Sequence, residues 1–179
     1  VNGKEYRAIL ASYMKDKGYR PQQELYRQFI NQKILRASYS NNQLRELMTD
    51  FWFNHFNVSL SKNQCAAYVP AYERDVIRPN VFGNFEDLLL KTAKSPAMLM
   101  YLDNSSSTGT NVSIGKKLAD VKNQNKKQGL NENYAREVME LHTLGVDGGY
   151  TQSDVTQAAK VLTGWTIAPM GDNGYGAAM

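Results

Sequence analysis

The sequence predicts an all-α fold, an irregular multi-helix domain, and three observations carry that prediction. Apolar residues recur at the three- and four-residue spacing of a helix face along almost the whole chain. Caps, prolines and glycines fall at the ends of those periodic runs, where helices start and stop. No run alternates apolar and polar residues as a half-buried strand would, and no internal repeat is visible. The runs and the loops between them are uneven in length, which argues against a regular four-helix bundle.

Each element has its own local reason. Tyr6, Ile9, Leu10 and Tyr13 form a stripe that stops near Gly18 and Pro21, and Leu25, Phe29, Ile30 and Ile34 form the next. Ser40 with Gln43 reads as a capping box, and Leu44, Leu47, Met48, Phe51, Trp52 and His55 make the stripe that follows. A further segment, about Lys62 to Asp75, ends before Pro79. Pro70 inside it predicts a kink or two shorter helices, because proline lacks the amide donor and clashes with the preceding turn. Asn84 caps a helix carrying Phe85, Leu88, Leu89 and Thr92. Pro96 suits the first turn of a short helix with Met98, Leu99 and Leu102. From Asn104 to Gly129 the period dissolves into Ser, Asn, Thr, Gly and Lys, which predicts a polar flexible loop. A helix resumes over Asn131 to Leu144. Thr151 with Asp154 opens the last one, with Val155, Ala158, Ala159 and Leu162 on its apolar face and Gly164 at its end.

The chain of 179 residues suits a single helical domain over 1–179. It begins at Val1 and ends in MGDNGYGAAM, so it is expected to be a fragment of a larger helical domain, cut at both ends. The net charge of +4 is mild. Lys116, Lys117, Lys122, Lys126 and Lys127 cluster without interleaved aromatics, which favours a solvated loop over a nucleic-acid surface. Cys65 is the one cysteine, so an intramolecular disulfide and a cysteine-based zinc cluster are both excluded. No apolar run approaches the ~20 residues that span a bilayer, and no signal peptide is visible.

The block NENYAREVMELHTLGVDGGYTQSDVTQAAKVLTGW, Asn131 to Trp165, resembles the signature of the bacterial domain of unknown function 1800 family. The resemblance extends to MTDFWFNHFNVS (Met48 to Ser59) and to the run Tyr72 to Asn104, which contains IRPNVFGNFEDLLLKTAKSPAMLMYLDN. It covers most of the chain outside the polar loop. It implies a bacterial, often exported protein, placed in the periplasm or at the cell surface. It also implies a partner encoded nearby, since such proteins are frequently encoded beside another uncharacterised, sulfatase-like family. Family members continue beyond the Gly164–Trp165 pair, so part of the domain is expected to lie outside this chain. The resemblance carries no catalytic residues over.

The residues that could bear chemistry sit in the family-like motifs. On a wheel at ~100° per residue, Tyr134, Val138 and Leu141 form the apolar face of the Asn131–Leu144 helix. His142 and Ala135 border that face, and Asn133, Glu137 and Glu140 form a polar stripe. Glu132 and Arg136 make an i,i+4 pair worth ~0.2–0.5 kcal/mol. Two readings of Glu137 and Glu140 stand side by side: solvated surface acids, or the lining of a cleft. In a cleft they need a cation, an arginine such as Arg74 or Arg78, or a shared proton, because unpaired buried charge is costly. The spacing fits neither HExxH nor the di-iron Glu-x-x-His pattern, so the metal, if any, and any cofactor stay open. Glycosidase chemistry would require a second acid such as Asp50 or Asp103, because neighbours on one helix cannot face each other across a sugar. His55 and His142 are the only histidines; each reads first as a core residue, and as a site residue if the two meet. Asn54, Asn57, Asn133, Arg136 and Arg78 would then be the surrounding ligand-binding shell. Trp52 and Trp165 read as core anchors. No nucleophile elbow, P-loop or dinucleotide fingerprint occurs, and Asp147–Gly149 reads as a turn. The function expected first is a binding or assembly role at the cell envelope. The alternative is a hydrolase or a metal- or ligand-binding enzyme with a pocket built from Glu137, Glu140, His55 and His142.

Overall fold

A computed structural model describes residues 3–18, 22–108, 129–170 and 174–178. The class is all-α. Backbone contacts gather into two compact units, Val1–Glu46 and Leu47–Met179, each described by itself.

The first unit holds α1 (Gly3–Asp16), α2 (Gln22–Tyr39) and the first turn of α3 (Gln43–His55). Gly18 adopts a positive φ of 71° just past α1, the left-handed conformation that ends helices. The periodic stripes form helices as predicted, yet Tyr6, Ile9, Tyr13, Ile30, Ile34 and Leu35 lie exposed while Phe29 is buried. Periodicity sets the helical register; which face is covered depends on tertiary packing. Ser40 and Gln43 do not form a capping box. Asn42 caps α3, its Oδ1 accepting from the Arg45 amide at 3.1 Å. The Gln43 side chain instead donates to the Ser40 carbonyl, and the Ser40 hydroxyl accepts from the Asn42 amide.

In the second unit, the segment predicted from Lys62 to Asp75 splits as Pro70 requires. α4 (Asn63–Ala66) stops, and α5 (Val69–Ala71) takes Pro70 into its first turn, where no amide is needed. The chain then runs through a π-helical turn, Tyr72–Ile77, and a 3-10 turn, Arg78–Asn80. α6 (Phe85–Ala93) is capped by Asn84, whose side chain accepts from the Glu86 amide, and α7 (Pro96–Tyr101) starts on its proline. Tyr72, Ile77, Leu88, Met98, Leu99, Phe56 and Tyr134 fill the core. The lysine-rich cluster and the rest of 109–128 lie outside the described residues. The base of that stretch is clasped, because Thr108 donates its amide to Gly129 and Asn131 donates its amide to the Ser107 hydroxyl.

The predicted Asn131–Leu144 helix begins at Asn133 as α8 (Asn133–Glu137) and continues as a π-helical turn, Val138–Thr143. An i→i+5 ladder takes more residues per turn, so each residue advances by less than the ~100° of an α-helix. This overturns the wheel: His142 rotates into the buried face, and Leu141, placed on the apolar face, stands 55% exposed. α9 (Gln152–Val161) opens on the Thr151–Asp154 capping box, with both reciprocal bonds present. It packs on α8 through Val155, Ala159 and Ala135, with Leu130, Met139, Tyr150, Ala158 and Leu162 around them. Glu132, Gln152, Thr156 and Arg136 join their polar flank. Gly164, at φ 83°, turns the chain so that the carbonyls of Leu162 and Trp165 both reach the buried Asn104 amide. A short antiparallel ribbon follows, β1 (Ile167–Met170) with β2 (Gly174–Ala178). No strand is predictable there, because the glycine-rich tail has no alternating pattern. Among the described residues, no helix is long and apolar enough to cross a membrane.

Candidate functional site

The second half of α3 is aromatic on successive turns, and His55 ends it. Its Nε2 donates to the main-chain carbonyl of His142 at 3.0 Å. The direction follows from chemistry, since a carbonyl can only accept. That carbonyl is available because it lies at the end of the π-helical turn. The last amides there fold back on earlier residues, Leu144 and Gly145 both donating to Met139. A helix end leaves such carbonyls without a partner in the helix, and the imidazole supplies one. The two rings stand 6.1 Å apart, and Phe56 lies edge-on to His142 at 5.1 Å. From below, Tyr72 donates its hydroxyl to the Phe56 carbonyl at 2.9 Å and packs on Phe53. Burial pushes the Tyr72 phenol well above its usual range.

His142 is only 5% exposed, and its Nδ1 is buried with no hydrogen-bond partner among the described residues. Burial first, and the neighbouring His55 second, push its pKa down to about 4. It is therefore neutral at pH 7.

Glu137 closes α8 and Glu140 lies in the π-helical turn; both are half-buried. Neither has an ion pair among the described residues. Burial raises the Glu137 pKa, and Glu140 adds to the rise, since two carboxylates a turn apart repel. Glu140 also pushes the Tyr150 phenol up, behind a larger effect of desolvation. The structure thus joins histidine to histidine and sets glutamate against glutamate. No hydrogen bond links the two pairs among the described residues.

The other predicted residues scatter. Asn54 is exposed and donates to Asp50 on its own helix. Asn57 and Asn133 are exposed, and the Asn133 amide is taken by the Asn131 side chain. Arg136 donates to Gln152 at 2.6 Å and stands 3.8 Å from Glu132, the predicted i,i+4 pair. Hydrogen bonds from Thr156 and Gln152 hold the Glu132 carboxyl below its usual range, with Arg136 contributing. Arg74 is taken by Asp75 at 2.6 Å, and Asp103 by Lys62 at 2.7 Å. Arg78 is half-buried in its 3-10 turn. Among the described residues, no group of three or more His, Cys, Asp or Glu side chains could hold a metal ion.

Around the histidine contact lies a surface that the stripe pattern assigns to the core. Phe51 is 54% and Phe85 41% exposed, with Trp52 half-buried between them, 4.9 and 5.7 Å from their rings. His55 stacks on Phe51 and meets Phe85, each at 6.4 Å. Leu141 on the π-helical turn and Leu144 just past its end are also exposed. Buried Glu73, in the other π-helical turn, is a second feature that the sequence pattern does not single out.

The family model described as "Protein of unknown function (DUF1800)" matches residues 2–178. No curated protein and no solved structure matches the chain.

Proposed function

Since the chain belongs to the DUF1800 family, whose description assigns no activity, we propose that it is a binding or assembly module. We place it at the bacterial cell envelope, with a second envelope protein encoded nearby as its partner. Envelope location and partner both follow from the family resemblance. One observation carries the binding role: the exposed aromatic surface of Phe51 and Phe85 around Trp52 and His55. Large aromatic side chains left in water are costly unless something covers them, and aromatics are enriched where proteins meet. The histidine contact beneath anchors two helices to each other, which keeps the surface rigid. The test is co-expression with the product of each neighbouring gene, followed by size-exclusion chromatography. A complex that Phe51→Ala with Phe85→Ala abolishes, at an unchanged melting temperature, supports the reading. Absence of a complex, or one indifferent to both substitutions, overturns it.

The enzyme reading, with Glu137, Glu140, His55 and His142 in one pocket, draws support from the unpartnered Nδ1 of His142 and the raised Glu137 carboxyl. It ranks second because the proton on His55 Nε2 is committed to a backbone carbonyl and, among the described residues, no hydrogen bond links the glutamates to either histidine. On that reading, Glu137→Gln abolishes ligand or metal binding in a folded protein. Unchanged binding removes Glu137 from the site.

A further inference from the structure

We infer that α1 is an interfacial helix that docks the first unit on an anionic lipid surface, with Tyr6, Ile9, Leu10 and Tyr13 sunk toward the acyl chains and basic side chains at the headgroups. This contact goes beyond the partner site proposed above and does not depend on it. The four side chains recur at the spacing of one helix face. The fold leaves that face in water: all four are exposed, Leu10 least at 42%. Among the described side chains of α1 none is buried, and only Met14 is half-buried. A helix of 14 residues is marginal in water by itself and draws its stability from whatever covers its apolar face.

Charge selects the occupant. The first unit, residues 1–46, holds nine lysines and arginines against four acids, a net +5, whereas the rest of the chain sums to −1. The positive charge of the chain is thus gathered in the unit that bears the open stripe. Arg7 and Lys15 stand exposed on α1, Lys17 just past it and Arg27 on α2. The acids of α1, Glu5 and Asp16, are already counted in that net charge. An anionic bilayer offers both things this surface calls for, an apolar layer for the stripe and negative charge for the cations. A nucleic acid would answer the charge and leave Ile9 and Leu10 in water. An apolar protein groove would answer the stripe and leave the charge unused. Tyrosine favours headgroup level, and the stems of lysine and arginine reach from apolar surface to polar heads. At ~1.5 Å per residue α1 is about 21 Å long, short of the ~30 Å hydrocarbon core, so it lies on the bilayer and does not cross it.

The test is co-sedimentation of the full chain with vesicles of phosphatidylcholine, alone or mixed with phosphatidylglycerol. The chain is expected to bind the anionic vesicles, to leave the neutral ones, and to come off as salt is raised. Arg7→Gln with Lys15→Gln is expected to weaken binding about fivefold per residue, since a cation near an anionic surface contributes ~1 kcal/mol. Ile9→Gln with Leu10→Gln is expected to weaken it at least about tenfold. All four positions are exposed, so the circular dichroism spectrum and melting temperature should not change. The lysines from Lys116 to Lys127 are kept in both variants, so binding that survives either pair of substitutions arises elsewhere and overturns the inference. Two results with the parent chain alone also overturn it: no binding to the anionic vesicles, and equal binding to both kinds. Self-association that Ile9→Gln with Leu10→Gln dissolves, in a chain that ignores vesicles, puts a second copy on the stripe. Retardation of a DNA duplex by a chain that ignores vesicles assigns the charge to nucleic acid. Either result overturns the lipid surface.

Discussion

Acidification should destabilise this chain through one residue, His142. Its pKa falls from the usual 6.5 to about 4 because the folded protein buries the ring beside His55. Between those values the unfolded chain binds a proton that the folded chain refuses, so stability is complete above pH ~6.5 and drains away as pH falls toward 4. At ~1.36 kcal/mol per pH unit, the displacement amounts to ~3 kcal/mol. That is a large share of the ~5–15 kcal/mol that holds an ordinary domain together. The assay is urea unfolding at intervals between pH 7.5 and 4.5, for the parent chain and for His142→Leu. The difference between the two curves isolates His142 from carboxylates that begin to titrate at the acid end. The parent's stability relative to the leucine variant should fall by ~2–3 kcal/mol as pH drops across this range, since the leucine variant has no imidazole to charge. With only two histidines in the chain, imidazole NMR resonances give an independent check. A difference that stays flat across the range, or a His142 resonance titrating near 6.5, would refute the reasoning.

Three further substitutions test the contacts that shape the site. His55→Ala should cost ~1–3 kcal/mol in chemical denaturation by leaving the His142 carbonyl without its donor; a loss below ~0.5 kcal/mol would mean water replaces the imidazole freely. Asn104→Ala should cost ~1–3 kcal/mol, because the side chain is 1% exposed and donates to the Leu162 and Trp165 carbonyls at the end of α9. Hydrogen exchange should show that loss concentrated at the C-terminal end of α9. Thr151→Ala removes one half of the capping box and should cost ~1 kcal/mol, read as a lowered melting temperature.

Local chemistry made much of the fold legible. The caps at Asn84 and Thr151, the prolines at 70 and 96 and the glycine turn after α9 act within a few residues, and each stands where the sequence places it. The two π-helical turns could not be read in this way, because no local residue type dictates an i→i+5 ladder. That one change of pitch exchanged Leu141 for His142 at the buried face. The exposed stripes of α1 and α2 failed for a related reason: a 3.6-residue period states that a face is apolar and says nothing of what covers it. The Ser40–Gln43 pair has the right residue types at the right spacing, but Asn42, nearer the first turn, takes the cap. In the candidate site, both histidines were visible as the only two in the chain. That they meet depends on how α3 docks on the π-helical turn, which no single helix encodes.

The dense block from Asn131 to Trp165 therefore reads differently once it is folded. Glu132, Arg136, Gln152 and Thr156 bind α8 to α9. Gly148 sits where a Cβ would fall 2.6 Å from the Leu144 Cβ, so the turn between the helices admits little else. Gly164 and Trp165 complete the Asn104 contact that ties the end of α9 to the turn after α7. Most of the residues that make the block look chemical are accounted for by architecture. Those left without a hydrogen bond or ion pair among the described residues are Glu137 and Glu140, half in water; outside the block, Phe51 and Phe85 pack on Trp52 and His55 with much of each ring still exposed. Carboxylates and aromatics that the fold does not use are the materials of recognition, which is why the binding reading precedes the enzymatic one.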